Sequence, residues 1–197
     1  MIMKMIRRNI SIKKLHFRGD VKYELQLTYQ ELVEKGYQIL SVITVNYGFL
    51  IVYRIFFEDT PLLEEDSVKL RIRIITKKGT LYPEPYLNAF YTGVERNNIE
   101  LADIYMESEI RKLGYGTILM NHLIKIAINT DVAYIKGFMV SDSENHRLIQ
   151  IHFYKKNGFE INGSGLMWEN NQKNKLQYKS AHYHKGDSDD DYRLFNE

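Results

Sequence analysis

The chain has no cysteine. Disulfides, thiolate nucleophiles and thiolate metal ligands are therefore excluded, and a reducing cytoplasmic setting is expected. Charge of one sign is scarce as well. A formal net charge of +2 is too small to argue for a nucleic-acid partner or a membrane surface. No secretory signal is expected, because Met1 to Ile12 is interrupted by Lys4, Arg7, Arg8 and Asn9. One apolar run, Tyr37 to Phe57, is long enough to span a bilayer. It carries Asn46-Tyr47-Gly48 in its middle, Arg54 near its end and many β-branched and aromatic residues, so it reads as two strands joined by a turn. Two glycine motifs are also missing. No Gly-Lys-Ser/Thr ends a Walker pattern, and Leu119 stands where a dinucleotide fingerprint needs its third glycine.

What is present suits a globular chain. Its 197 residues, 44% hydrophobic and 26% charged, fit one ordinary domain or a core with a small appendage. Residues 1–60 read as an N-terminal accessory region, a short helix plus a hairpin. Residues 61–184 read as the core and 185–197 as an acidic tail. Arg7, Arg8, Lys13, Lys14, Arg18 and Lys22 make the start basic, either a patch for an acidic partner or a solvated face. Thr28 followed by Glu31 predicts a helix start, and Gly36 its stop. Strands are expected at Tyr37 to Val45, Phe49 to Phe57, Val68 to Thr76, Tyr86 to Gly93 and Ile99 to Met106. The last three should form successive antiparallel neighbours, with Pro83 and Pro85 keeping the residues between out of a ladder.

The chain is organised around Arg111-Lys112-Leu113-Gly114-Tyr115-Gly116-Thr117. Apolar residues at three- and four-residue spacing follow it (Leu119, Leu123, Ile126, Ala127) and predict a helix over about 113–129. The turn thus delivers two glycines to a helix N-terminus, where unpaired N–H groups and the positive end of the dipole favour an anion. Gly114 and Gly116 lack a Cβ, so a phosphate could approach the backbone there, although an ordinary loop has the same pattern. Val132 to Val140 should be a strand parallel to the one before the turn. Leu148 to Lys156 reads as a helix ending at Asn157-Gly158, followed by short strands at Phe159 to Ile161, Leu166 to Trp168 and Leu176 to Tyr178. His182-Tyr183-His184 lacks ligand spacing for a structural metal site, and no metal is expected.

This order of elements, with Arg111, Gly114 and Gly116 matching Gln/Arg-x-x-Gly-x-Gly/Ala and Tyr154, Lys156, Gly158 and Phe159 matching a Tyr followed by Lys-x-Gly-Phe, resembles the GNAT superfamily of acyl-CoA-dependent N-acyltransferases over residues 68–161. The resemblance implies an α+β fold: a mixed, mostly antiparallel sheet with a splayed parallel strand pair and flanking helices. It also implies acetyl-CoA as acyl donor, a small-molecule or peptide amine as acceptor, and acetyl transfer in a ternary complex. A non-catalytic CoA-binding or partner-binding protein on the same fold is the alternative, and a homodimer is left open.

By the same resemblance the pantetheine arm pairs with the strand edge at Ile104, Tyr105 and Met106, and the Met106 N–H faces the oxyanion. The diphosphate sits on the amides of Leu113, Gly114, Tyr115, Gly116 and Thr117, with Arg111 or Lys112 assisting. Tyr154 is the implied general acid and Glu100, eleven residues before Arg111, the candidate base. Strict alternation would put Glu100 on the Met106 face and Asp103, the second choice, on the opposite one, unless a bulge intervenes. Arg147 stands where the family often has an Asn that touches the pantetheine; Asn145 is nearby, out of register.

Overall fold

The structure, a computed structural model, describes residues 11–13, 20–56, 61 and 64–171. The first helix, α1, runs Val21–Glu34. Its N-cap is Asp20, whose carboxylate accepts the Tyr23 N–H at 2.9 Å. The expected start at Thr28 is corrected, since Thr28 lies buried in mid-helix. Val21, Leu25 and Leu32 fall on one face and pack against Ile51, Tyr53 and Ile75. That burial extends the helix back to the first residue able to cap it. Gly36 (φ 74) ends it as expected, giving its N–H to the Val33 carbonyl.

Ten strands form one sheet: β1 (Ser11–Lys13), β2 (Gln38–Val45), β3 (Gly48–Ile55), β4 (Ser67–Thr76), β5 (Gly79–Tyr82), β6 (Tyr86–Thr92), β7 (Asn98–Tyr105), β8 (Tyr134–Phe138), β9 (Glu160–Asn162) and β10 (Gly165–Glu169). The path is β1-β5-β4-β6-β7-β8-β10-β9, and β3 joins β4 with β2 outside it. Every pairing is antiparallel except β7 with β8. The β2–β3 hairpin turns at Asn46 and Tyr47. Gly48 follows at φ 150, where a Cβ would lie 2.0 Å from the Ile75 carbonyl oxygen; only glycine lets β3 lie this close to β4. Strands β1 and β5 were not anticipated: three and four residues are too few for a period of two to declare itself.

Helix α2 (Tyr115–Asn129) and helix α3 (Glu144–Lys156) lie on one face of the sheet. Leu119, Met120, Leu123 and Ala127 of α2 are fully buried against Leu70, Ile72, Leu87 and Ile99, each large side chain contributing about 1.5–3 kcal/mol. The other face carries α1 over β2, β3 and β4. Beneath it Arg73 Nε binds Glu84, which also accepts the Tyr53 hydroxyl at 2.5 Å. Among the described residues nothing else covers this face, and Phe90 and Phe138 are 46% and 75% exposed. Ser143 caps α3 through the His146 N–H, so the helix starts at Glu144, four residues before the expected Leu148, and Asn157-Gly158 closes it. Leu176 to Tyr178, the 182–184 triplet, the acidic tail and Arg7, Arg8, Lys14 and Arg18 lie outside the described residues.

Candidate acyl-transfer site

Strands β7 and β8 pair from Asn98↔Tyr134 to Leu101↔Gly137, and there the pairing stops. β7 continues to Tyr105 while β8 ends at Phe138. Past the last rung the β8-facing edge of β7 is open and can accept an extended ligand arm. Gly137 is needed at the apex, because a Cβ there would meet the Leu101 carbonyl oxygen at 3.1 Å.

A bulge re-aims β7 beside this apex. Ala89 pairs with Leu101 and Asn88 with Asp103, so Ala102 is the extra residue. Strict alternation is therefore corrected. Glu100 and Asp103 point to the same open face, and Met106 points to the opposite one, where it packs against the helix-side core. Asp103 accepts the Tyr86 hydroxyl at 2.9 Å, and Tyr86 stacks on Tyr105 with ring centres 5.3 Å apart. The Tyr105 hydroxyl donates to Glu107. Ile104 is half-buried on the core side. Glu100 is exposed and lines a cleft of ≈ 490 Å³ together with Lys136, Phe138, Glu160 and Met167. Those cleft partners were missed from sequence, although Tyr134, Lys136 and Phe138 alternate; which face they share with Glu100 depends on a long-range register.

The glycine turn sits at the open end of the splay. Gly114 is the N-cap of α2 at φ 91 and supplies no side-chain cap, so the first-turn amides of Tyr115, Gly116 and Thr117 stay available to an anion. Lys112 is also left-handed at φ 65, and backbone of this kind turns successive N–H groups inward as an anion nest. The two glycines have different reasons to be glycine. Around Gly114 nothing lies within 4 Å of an added Cβ, whereas at Gly116 that Cβ would meet Met106 Cε at 2.9 Å and Phe153 Cε2 at 3.1 Å. Gly114 leaves space for a ligand; Gly116 lets α3 close on α2.

The remaining predicted residues divide between the two ends. Arg111 Nε donates to the Met106 carbonyl at 3.2 Å, which folds the guanidinium back over the end of β7. Lys112 and Leu113 are exposed, and Thr117 is half-buried. Tyr115 is buried, its hydroxyl 2.5 Å from that of Tyr47 and its pKa pushed up by burial and this bond. Its side chain thus faces the core, and only its backbone faces the turn. Asn145 is exposed in the first turn of α3. Arg147 Nη2 donates to the Gly163 carbonyl at 3.0 Å, which fastens α3 to the β9–β10 turn.

Tyr154 lies 6% exposed between Phe153 and Phe159, edge-on to both rings. Burial, and then the negative charge of Asp103, push its phenol up to about 12. The phenol is therefore neutral at physiological pH. Among the described residues no group of three or more His, Asp or Glu could hold a metal ion, and no helix is long and apolar enough to cross a membrane.

The site thus combines a parallel strand pair that parts after four rungs with an uncapped glycine helix start at its open end. The model of the acetyltransferase (GNAT) family matches residues 79–159, and this segment belongs to that family. No curated protein matches the sequence. Among solved structures the chain is similar to a PaiA N-acetyltransferase from Thermoplasma acidophilum in complex with coenzyme A, with 18% identity, 52% of this chain and 58% of that one covered, and a TM-score of 0.40. It is also similar to an IAA acetyltransferase from Bacillus cereus, with 16% identity, 61% and 99% coverage and a TM-score of 0.46. A third is a cAMP-binding acyltransferase from Mycobacterium smegmatis, with 13% identity, 78% and 54% coverage and a TM-score of 0.48.

Proposed function

We propose that the protein transfers an acyl group, acetyl in the first instance, from acetyl-CoA to a primary amine by direct attack in a ternary complex. The observation that carries this reading is the end of β7–β8 pairing at Leu101↔Gly137, beside the uncapped start of α2. The diphosphate binds the amides of Leu113 to Thr117, with Arg111 and Lys112 adding positive charge. From there the arm lies along Met106, Tyr105 and Ile104. Because it enters at the Met106 end, its thioester points toward the apex, and amides near Ala102 to Ile104 are better placed than Met106 to donate to the oxyanion.

The acceptor amine comes from the open face. Glu100 takes its proton, the nitrogen attacks the thioester carbon, the C–S bond breaks, and Tyr154 protonates the leaving sulfur. Acetyl-CoA titration should perturb amides 111–117, and an amine panel should release thiol. Glu100→Gln should lower kcat at least about 10²-fold. Binding without release for every amine would support the non-catalytic alternative. No binding at all would remove both readings.

A further inference from the structure

We propose that Lys136 is itself an acyl acceptor, so that the protein self-acylates at this one lysine when no other amine fills the cleft. The inference rests on the acyl-transfer reading. Lys136 is the direct β8 partner of Glu100 in the parallel register, so the two side chains leave the same face of strands about 4.8 Å apart. Both line the ≈ 490 Å³ cleft. Lys136 is one residue, about 3.3 Å of strand, from the apex, where Gly137 closes the last rung. A lysine side chain spans that distance easily.

Despite this proximity, Lys136 and Glu100 form no ion pair with each other. Instead the ammonium rests over the ring of Tyr134, 5.3 Å from its centre. Tyr134 lies on the same strand face, on the side away from the apex. The amine is exposed and held only by a contact of the weak, exposed kind. Swinging it toward Phe138 brings the nitrogen past Glu100 to the thioester. Glu100 first takes one ammonium proton, the neutral amine then forms the N–C bond, and the nitrogen's second proton passes through solvent to restore the Tyr154 phenol. The C–S bond breaks, Tyr154 protonates the sulfur, and the products are an acyl-lysine amide and free CoA thiol. Acylation removes the positive charge that faces Glu100 and Glu160 across the cleft, so a modified molecule presents a more acidic acceptor site.

The test incubates the full chain with isotope-labelled acetyl-CoA and no added amine, then maps the label by peptide mass spectrometry. The expected result is one acetyl group at Lys136, acquired at a rate independent of protein concentration and slowed at least about 10²-fold by Glu100→Gln. Tyr134→Leu, which removes the competing ring, should speed labelling about two- to fivefold. Equal labelling of Lys136 and Lys125 of α2, indifferent to Glu100→Gln, would reduce the reaction to solution chemistry and overturn the proposal. So would thiol release with added amines while Lys136 stays unlabelled; that result would leave the acyl-transfer reading standing. Neither label nor release with any amine would overturn both.

Discussion

Replacing Gly114 by alanine separates the backbone of the glycine turn from everything around it. With φ at 91 and no heavy atom within 4 Å of the added methyl group, the substitution meets no clash. Its cost is the left-handed conformation alone, about 1–2 kcal/mol for a residue with a Cβ. For a chain of this size that lowers Tm by roughly 2–8 °C. Asparagine tolerates the left-handed region better, so Gly114→Asn should lose less. Binding should respond more steeply than stability. If the Tyr115 to Thr117 amides hold the diphosphate, tilting the first turn to relieve the strain forfeits at least one charge-assisted hydrogen bond, worth about 1.5–3 kcal/mol. That corresponds to roughly a 10- to 150-fold weaker Kd for acetyl-CoA. Paired thermal melts and titration calorimetry on wild type, Gly114→Ala and Gly114→Asn read both quantities. A lowered Tm with an unchanged Kd would refute the reasoning, because the strained amides would then be shown not to touch the donor.

Two further outcomes follow from the titrating groups. Tyr154→Phe keeps the ring contacts with Phe153 and Phe159, so Tm should barely move while kcat falls about 10²-fold. In the wild type the rate should show no loss from this phenol until the pH nears about 12, which a pH–rate profile checks. His122, 2.9 Å from Ser41 Oγ, has its pKa lowered from 6.5 by burial and then by Lys125. A folded pKa below the unfolded one means that the unfolded chain binds the extra proton. Stability from neutral His122 is therefore complete above pH 6.5 and is lost as the pH falls toward the lower folded value. Denaturant midpoints across that window should slope in the wild type and flatten in His122→Gln.

Much of the site was legible because its signals are local. The glycine pair, the apolar period of α2 and the Asn157-Gly158 cap each act over a few residues, and α2 and the end of α3 lie within a few residues of their expected places. The bulge at Ala102 was not legible. Nothing in Glu100-Leu101-Ala102-Asp103 marks the extra residue; the pairing of Asn88 with Asp103 is fixed by β6, more than ten residues away. That single slip brings Asp103 onto the face of Glu100 and takes Met106 off it. The start of α1 was misread for a related reason. Thr28 has the right spacing to Glu31, but whether the helix extends past it depends on Ile51, Tyr53 and Ile75 waiting to cover Val21 and Leu25. Spacing offers candidates, and tertiary burial chooses among them.

The hydroxyls of Tyr47 and Tyr115 meet across 68 residues of sequence, and that contact bears on how the chain can be divided. The tip of the β2–β3 hairpin is bolted to the first turn of α2, one residue past Gly114, and β3 seals the flank of β4 along its length. A fragment trimmed to the family-matching segment would leave the Tyr115 hydroxyl without its mate. It would also remove Leu50 and Val52, and with them part of the helix-side core against which α2 packs. Trimming of that kind loosens the glycine turn from behind while every residue of the motif remains in place.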